Sequence, residues 1–292
     1  MMPRFSPEGP PLLRWHWRVG ALKLENFRGL TALVTGASSG IGRMLSLRLA
    51  ADGARVALVA RRADILEKLV SQIRGGGGEA LVLPCDVADR EQAATAAERA
   101  LGQLGSVDLL VNNAGYGHHR AFLEWDVLDM ERMMRVNYFG ALYFTKALLP
   151  SMVSRRRGWI VFMASVAGRI AVPEESAYTA SKFAMVGFAE SLALEVEDAG
   201  VHVLTVCPGT VRTPFFDREA LGRMPEVARR TMVEPGLLVS AILGGLAKGK
   251  REITYPRRLA VAYLVRALAP GFMRRQVKRH TLGAGGSKPS EE

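Results

Sequence analysis

From residue 29 the chain alternates two kinds of segment. Short, nearly continuous apolar runs recur at "TALVTG" (31–36), "ARVALVA" (54–60), "EALVLPC" (79–85), "VDLLVNN" (107–113), "WIVFMAS" (159–165), "VHVLTVC" (201–207) and "EITYP" (252–256). Between them, apolar residues return every three or four positions, as Ile41, Leu45 and Leu49 do within 40–52. The same period predicts helices over 63–74 and near 89–103, 127–153, 176–199 and 235–248. Strands that are apolar on both faces must be covered on both faces, and strands joined through helices run parallel. Right-handed crossovers then place helices on either side of one sheet. The pattern predicts an α/β fold: a doubly wound, seven-stranded parallel sheet with helices on both faces and a helical carboxy-terminal extension.

The ends depart from this alternation. Residues 1–23 form an amino-terminal extension whose prolines and charges stand where a signal peptide needs an apolar run. Residues 24–256 hold the domain. Residues 257–280, containing "RRLAVAYLVRALAPGFMRRQVKRH", predict an apolar helix of about three turns ended near Pro270, then a basic amphipathic turn. Residues 281–292 read as a disordered tail. No apolar run reaches the length of a membrane-spanning helix. The run Gly75–Gly78 lies after a helix and before a strand, the wrong end for holding an anion, and reads as a flexible connection.

The net charge of +11 changes meaning once located. Ten basic residues and one acid, Glu252, lie between Lys248 and His280, so most of the excess belongs to one end. The domain itself carries no basic field that would call for nucleic acid. Basic residues beside an apolar helix suit either an anionic membrane surface or packing on the domain or a partner subunit, and both readings are open. "LLRWHWRV" (12–19) is also basic and aromatic. The two cysteines, Cys85 and Cys207, sit in strand runs and suit a reducing, cytoplasmic compartment; no metal site is predicted.

Two segments carry candidate chemistry. "TGASSGIG" (35–42) follows the first strand and opens the first helix. Gly36 allows a tight turn, Gly40 a close backbone approach and Gly42 close packing, so the free N–H groups of the helix start can face a pyrophosphate. In "SAYTASKFAM" (176–185), Tyr178 and Lys182 are four apart and share a helix face. A cation there favours the phenolate and lowers a pKa that is ordinarily near ~10.

With "CDVAD" (85–89), "NNAG" (112–115), "RVNYFG" (135–140), "MASVAG" (163–168) and "CPGTVRT" (207–213) in the same order, the chain resembles the short-chain dehydrogenase/reductase family from about Leu24 to Pro256, with its Rossmann-like fold. The resemblance implies roles residue by residue. Tyr178 matches the general acid/base, and Lys182 the lysine that depresses its pKa and holds the nicotinamide ribose. Ser165 matches the hydroxyl that bonds the substrate oxygen. Asn137 matches the asparagine whose helix distortion holds a water in the proton relay. For the cofactor it implies Gly36, Ser38, Ser39, Gly40, Ile41 and Gly42 at the phosphates. Asn112, Asn113, Ala114 and Gly115 fall along the adenine-ribose side, and Pro208, Gly209, Thr210, Val211 and Thr213 near the carboxamide. Asp86 and Val87 match the pair framing the adenine; the other reading has Asp86 capping the helix near 89.

The end of the second strand bears on which cofactor. An acid there would bind a ribose hydroxyl; this chain has Arg61 and Arg62, with no acid before Asp64. Arg61 can pair with a 2′-phosphate, favouring NADP(H) over NAD(H), although the family's second basic position is Ser39 here. Cellular NADP is mostly reduced, which favours carbonyl reduction. The segment 214–233 falls at the family's substrate lid and brings Phe215, Phe216, Leu221 and Met224 toward an apolar substrate, with Val166 and "YGHH" (116–119) lining the cleft. For His118 and His119 two readings stand, a substrate contact from one of them or a solvated loop histidine, and the second is preferred. The resulting expectation is an NADPH-dependent reductase of a small apolar ketone or aldehyde, such as a steroid, retinoid or long-chain keto-lipid, reversible as an alcohol dehydrogenase. The alternatives are a 3-oxoacyl-thioester-type reductase and a non-catalytic NADP-binding sensor. The resemblance further implies a homodimer or homotetramer packed through helices 127–153 and 176–199.

Overall fold

The computed structural model describes residues 23–24, 26–215, 218–224 and 226–281. Strand β1 (Thr31–Thr35) leads through α1 (Gly40–Ala51) to β2 (Arg55–Ala60), and α2 (Ala63–Gly75) leads to β3 (Glu79–Pro84). Next come α3 (Arg90–Leu104), β4 (Leu109–Asn112), α4 (Val127–Met134), α5 (Gly140–Ser154) and β5 (Gly158–Met163). The chain continues through α6 (Ser176–Val196), β6 (Val201–Pro208), α7 (Arg218–Arg223), α8 (Glu226–Arg230), α9 (Pro235–Ala247) and β7 (Glu252–Tyr255). The strands form one seven-stranded sheet in the order β3-β2-β1-β4-β5-β6-β7, with every pairing parallel. The winding direction reverses between β1 and β4, so the loops at their carboxyl ends part and leave a crevice.

Alternation along each strand divides the core into two layers. Val34, Leu58, Val161 and Leu204 pack beneath Leu45 and Leu49 of α1, Leu66 and Leu69 of α2, and Leu238 and Ile242 of α9. Leu33, Val59, Leu110 and Phe162 face Phe144 and Leu148 of α5 and Met185 and Ala189 of α6. Helix α3 buries small side chains against this layer, Ala93, Ala96, Ala97 and Ala100, with Leu101 and Leu104 packing at its edge, and lies against α5. The glycine run after α2 is the connection to β3, with Gly76 as the helix C-cap and Gly77 at φ +79°.

Three local expectations change. The helix foreseen over 127–153 is interrupted by a π-helical turn, Arg135–Phe139, which carries the fully buried Asn137 between α4 and α5. Apolar periodicity does not register the extra residue of such a turn. The N-cap of α3 is Asp89, whose carboxylate accepts from the backbone N–H groups of Glu91 (2.9 Å) and Gln92 (3.0 Å), so Asp86 is free of that role. Beyond β7, a 3-10 turn (Arg257–Ala260) leads to α10 (Val261–Leu268) and then a full second helix, α11 (Pro270–Thr281), rather than a single amphipathic turn. Pro270 starts this helix: at a first helical position its missing N–H leaves no bond unmade.

Helix α10 is held to the domain by one side. Arg266 donates to the Arg169 carbonyl and stands over the Phe183 ring at 5.2 Å, while Tyr263 contacts the Thr254 hydroxyl at 3.2 Å. Its other side leaves Val261, Leu264 and Leu268 exposed, as is Phe272 of α11. Among the described residues, no helix is long and apolar enough to cross a membrane. The expectations for residues 1–22 and for the tail from 282 lie outside the described residues.

Candidate active site

The crevice opens into a cavity of about 780 Å³, a size suited to a cofactor and a small substrate. One end is the turn after β1. Gly36 has φ +67° and Gly40 φ +53°, backbone that L side chains rarely adopt. A Cβ on Gly42 would stand 2.4 Å from the Gly36 carbonyl oxygen and 2.5 Å from Asn113 Nδ2, so only glycine lets α1 start this close to the turn. Gly36, Ser38, Ser39, Gly40 and Ile41 line the cavity, with Gly42 packed just behind them.

Thr35 and Asn113 stitch this turn to the end of β4. Thr35 Oγ1 accepts from the backbone N–H groups of Asn113 and Ala114, both at 3.0 Å, and Asn113 Nδ2 donates to the Thr35 carbonyl at 2.9 Å. Asn113, Ala114 and Gly115 therefore line the cavity beside the glycine turn. Asn112 points the other way: it is buried and donates to Thr145 Oγ1 at 3.0 Å, outside the cavity lining. Arg61 and Arg62 follow β2 at the same end, both exposed, and Arg62 Nη2 donates to Ser38 Oγ at 2.9 Å. Two cations thus flank the turn where a phosphorylated ribose would lie. Asp86 and Val87 line the wall; Asp86 holds Arg132 of α4 at 2.8 Å, a residue that sequence reasoning passed over.

The other end carries Ser165, Tyr178 and Lys182. Ser165 follows β5, and its Oγ accepts from the Ala167 N–H at 3.1 Å while bonding the Tyr178 hydroxyl. Lys182, one turn after Tyr178 on α6, is 3 % exposed. Its Nζ donates to the Met163 carbonyl at 2.8 Å and lies 5.6 Å from the centre of the Tyr178 ring. A Cβ on Gly115 would stand 3.5 Å from this Nζ, an ordinary contact, and 3.1 Å from Asn137 Oδ1, a tight one.

Asn137 shapes the wall from behind. Its Oδ1 accepts from the Tyr116 N–H at 2.9 Å, and its Nδ2 donates to the Tyr116 carbonyl (2.9 Å) and to Ser181 Oγ (3.0 Å). The amide is used up in holding the 113–120 loop to α6, which leaves the backbone of the π-turn, not the side chain, as the element that could seat a water.

The electrostatics differ from the sequence expectation. Burial pushes the Tyr178 phenol well above its ordinary value, and the Ser165 hydrogen bond opposes this only in part. Burial pushes the Lys182 amine down to about 8. Proximity of the lysine does not by itself yield an acidic phenol; desolvation is the larger effect. At neutral pH Lys182 is still mostly an ammonium.

The lid side is partly described. Phe215 stands edge-on to Tyr178 with ring centres 5.9 Å apart, and Met224 is buried against the cavity; Leu221 is exposed and does not line it. Phe216 lies outside the described residues. Val211 pairs with Val233 in an isolated parallel bridge that closes the base of the lid, and Thr213 packs over Gly40. Pro208, Gly209, Thr210, Val166 and Tyr116 line the cavity, as do Leu259 and Thr281 from the carboxy-terminal extension, to which sequence reasoning gave no part in the site.

His119 requires a correction. It is not a solvated loop histidine: it is buried, lines the cavity, and its Nε2 lies 3.0 Å from Glu175 Oε1. Glu175, next to "SAYTASK", was not anticipated; an acid directly before the helix start was the available signal. Among the described residues there is no group of three or more His, Cys, Asp or Glu that could hold a metal ion, and both cysteines are free and buried.

The pattern of the family described as short chain dehydrogenase matches residues 30–222. The dehydrogenase/reductase SDR family member 7B of Bos taurus is 34 % identical over 275 residues, covering 89 % of this chain and 82 % of that protein. A fatty acyl-CoA reductase of Acinetobacter baylyi is 36 % identical over 257 residues, covering 87 % of this chain and 84 % of that protein. Among solved structures, a metagenomic short-chain oxidoreductase in complex with NADP superposes with a TM-score of 0.67 at 31 % identity, covering 78 % of this chain and 96 % of that one. A short-chain dehydrogenase from Streptomyces avermitilis superposes with a TM-score of 0.73 at 31 % identity, covering 88 % and 98 %.

Proposed function

The chain belongs to the short-chain dehydrogenase family and is an oxidoreductase that binds a nicotinamide cofactor; we propose that it uses NADPH to reduce a carbonyl group on a lipophilic, long-chain substrate. The observation that carries this reading is the meeting of Ser165, Tyr178 and Lys182 in one buried cavity that continues to a glycine turn flanked by Arg61 and Arg62. The bare-backbone cradle at Gly36, Gly40 and Gly42 fits a pyrophosphate, and the two arginines fit a 2′-phosphate.

When bound, the reduced nicotinamide supplies a hydride to the substrate carbonyl carbon. Negative charge then grows on the carbonyl oxygen. Tyr178 gives that oxygen its proton, and Ser165 Oγ–H holds it with a hydrogen bond. The Lys182 ammonium beside the ring lowers the cost of the phenolate that remains. Asn137 keeps the opposite wall in place by holding Tyr116 and Ser181. Phe215, Met224 and Leu259 give the substrate side an apolar wall that excludes water. That wall supports a long-chain substrate, as does the likeness to a protein named fatty acyl-CoA reductase, which brings acyl thioesters within range as well as aldehydes and ketones.

The remaining surface supports two further readings. Leu194 on α6, Phe139 in the π-turn and Val153 on α5 are exposed apolar residues on the helices through which a homodimer or homotetramer would pack. The free side of α10, with Phe272 and the arginines of α11, is suited to an anionic membrane interface close to the cavity that Leu259 and Thr281 line.

NADPH oxidation over a panel of long-chain aldehydes, ketones, acyl thioesters, steroids and retinoids should find turnover, and Tyr178→Phe should lower kcat about 10²–10⁴-fold while NADPH still binds. Replacing Arg61 and Arg62 with alanine should cost about tenfold or more in preference for NADPH over NADH. Tight NADPH binding without turnover of any probe would instead favour a sensor. Sedimentation should give a dimer or tetramer; a monomer would remove the subunit interface. In flotation with vesicles containing anionic lipid, the protein should rise with the vesicles and lose this on deletion of residues 257–292, whereas equal flotation of both forms would remove the membrane reading.

A further inference from the structure

Two buried side chains beside Tyr178 have no part in the chemistry above. His119 and Glu175 meet at 3.0 Å with side chains only 5 % and 12 % exposed, and both line the cavity. The backbone builds this contact. The Arg120 N–H donates to the Glu174 carbonyl at 2.7 Å, tying the loop to the start of α6, and the Thr179 N–H closes the first helical turn on the Glu175 carbonyl at 2.7 Å. At the tie Glu174 takes φ +62°, a left-handed conformation that a non-glycine residue adopts at a cost. Gly117 lets the same loop lie against the phenol: a Cβ there would stand 2.9 Å from Tyr178 Cδ2.

Two titratable groups face the pair: His118 lies beside His119 in the loop, and Tyr178 comes from α6 one turn after Glu175. Beyond Tyr178 stand Lys182 and Cys207 of β6, whose thiol is pushed up to about 12 by burial and stays neutral. Burial pushes the Glu175 carboxyl up to about 8, and burial, then His118, pushes the His119 imidazole down to about 4. At neutral pH carboxyl and imidazole hold one proton between them and no net charge. An ionised Glu175 would be a like charge for a phenolate at Tyr178 and would hold the phenol up further.

We propose that Glu175 is a positioning residue for the proton transfer: kept as a neutral carboxylic acid by its burial against His119, it lets Tyr178 become a phenolate without a negative neighbour. This rests on Tyr178 acting as the acid. The consequence is an alkaline limit on carbonyl reduction. As pH rises through the Glu175 ionisation the carboxylate appears beside Tyr178, and proton donation becomes harder although the phenol is still protonated.

The test uses the full chain saturated with NADP+, titrated with base while tyrosinate absorbance is followed, with the Tyr178 signal isolated by subtracting Tyr178→Phe. Glu175→Gln should lower the Tyr178 midpoint by about one pH unit, whereas Glu175→Asp, which keeps the charge, should stay near the wild type. In the NADPH-dependent reduction of decanal, the fall in kcat above about pH 8 should be lost in the glutamine variant and kept in the aspartate variant. An unchanged midpoint in Glu175→Gln, or equal shifts in the glutamine and aspartate variants, would overturn the proposal in favour of a purely structural pair. The titration needs no substrate, so an enzyme that turns over none of the probes still gives an answer on Glu175.

Discussion

Lys182 holds an amine almost out of water, 2.8 Å from one backbone carbonyl, and a large part of the molecule exists to make that tolerable. A buried ammonium without partners neutralises itself, and here burial alone brings the amine down to about 8. The Met163 carbonyl at the end of β5 accepts a hydrogen bond from the amine and fixes its position. Removal of this group from solvent also excludes water from the neighbouring phenol, so the same burial that weakens the lysine raises the tyrosine. The site is therefore poised between two desolvated groups, and a hydrogen bond from Ser165 and the cationic lysine are the levers that make the phenol usable.

The sheet supplies the precision. β1, β4, β5 and β6 end on the same edge, so the glycine turn, the Asn113–Gly115 segment, Ser165 and the Pro208–Thr213 segment converge on one crevice without any long excursion of the chain. Polar side chains that touch nothing outside the protein then lock these loops to each other. Thr35 joins β1 to β4, and Asn137 joins the 113–120 loop to α6. Glycines at 36 and 42 mark the places where backbone meets backbone or the Asn113 side chain too closely for a Cβ. The lid and the carboxy-terminal helices close the remaining side with apolar residues.

How much of this could be read from the residues depends on the range of the signal. The strands were legible because each is apolar on both faces, and the parallel order followed from the intervening helices. The glycine turn and the Tyr178–Lys182 pair were legible because both are short in sequence. The π-turn left no mark on the apolar period, since it adds a single residue to a helix; only the family resemblance at Asn137 implied a helix distortion there. Asp86 was left between two local roles, and its partner Arg132 was not legible because it lies on a helix forty-six residues on. His119 and Glu175 are fifty-six positions apart and meet only through the fold. Pro270 was read as a stop when it also starts α11, because the same φ that ends one helix suits the first turn of the next.

The central claim is that hydride and proton arrive at one carbonyl within this cavity. Its most direct test is reduction of a long-chain aldehyde with NADPH that carries deuterium at the transferable position, followed by analysis of the product alcohol. The account predicts deuterium on the carbinol carbon in proportion to the NADPH consumed. Product without the label, or consumption of NADPH with no alcohol formed, would contradict it.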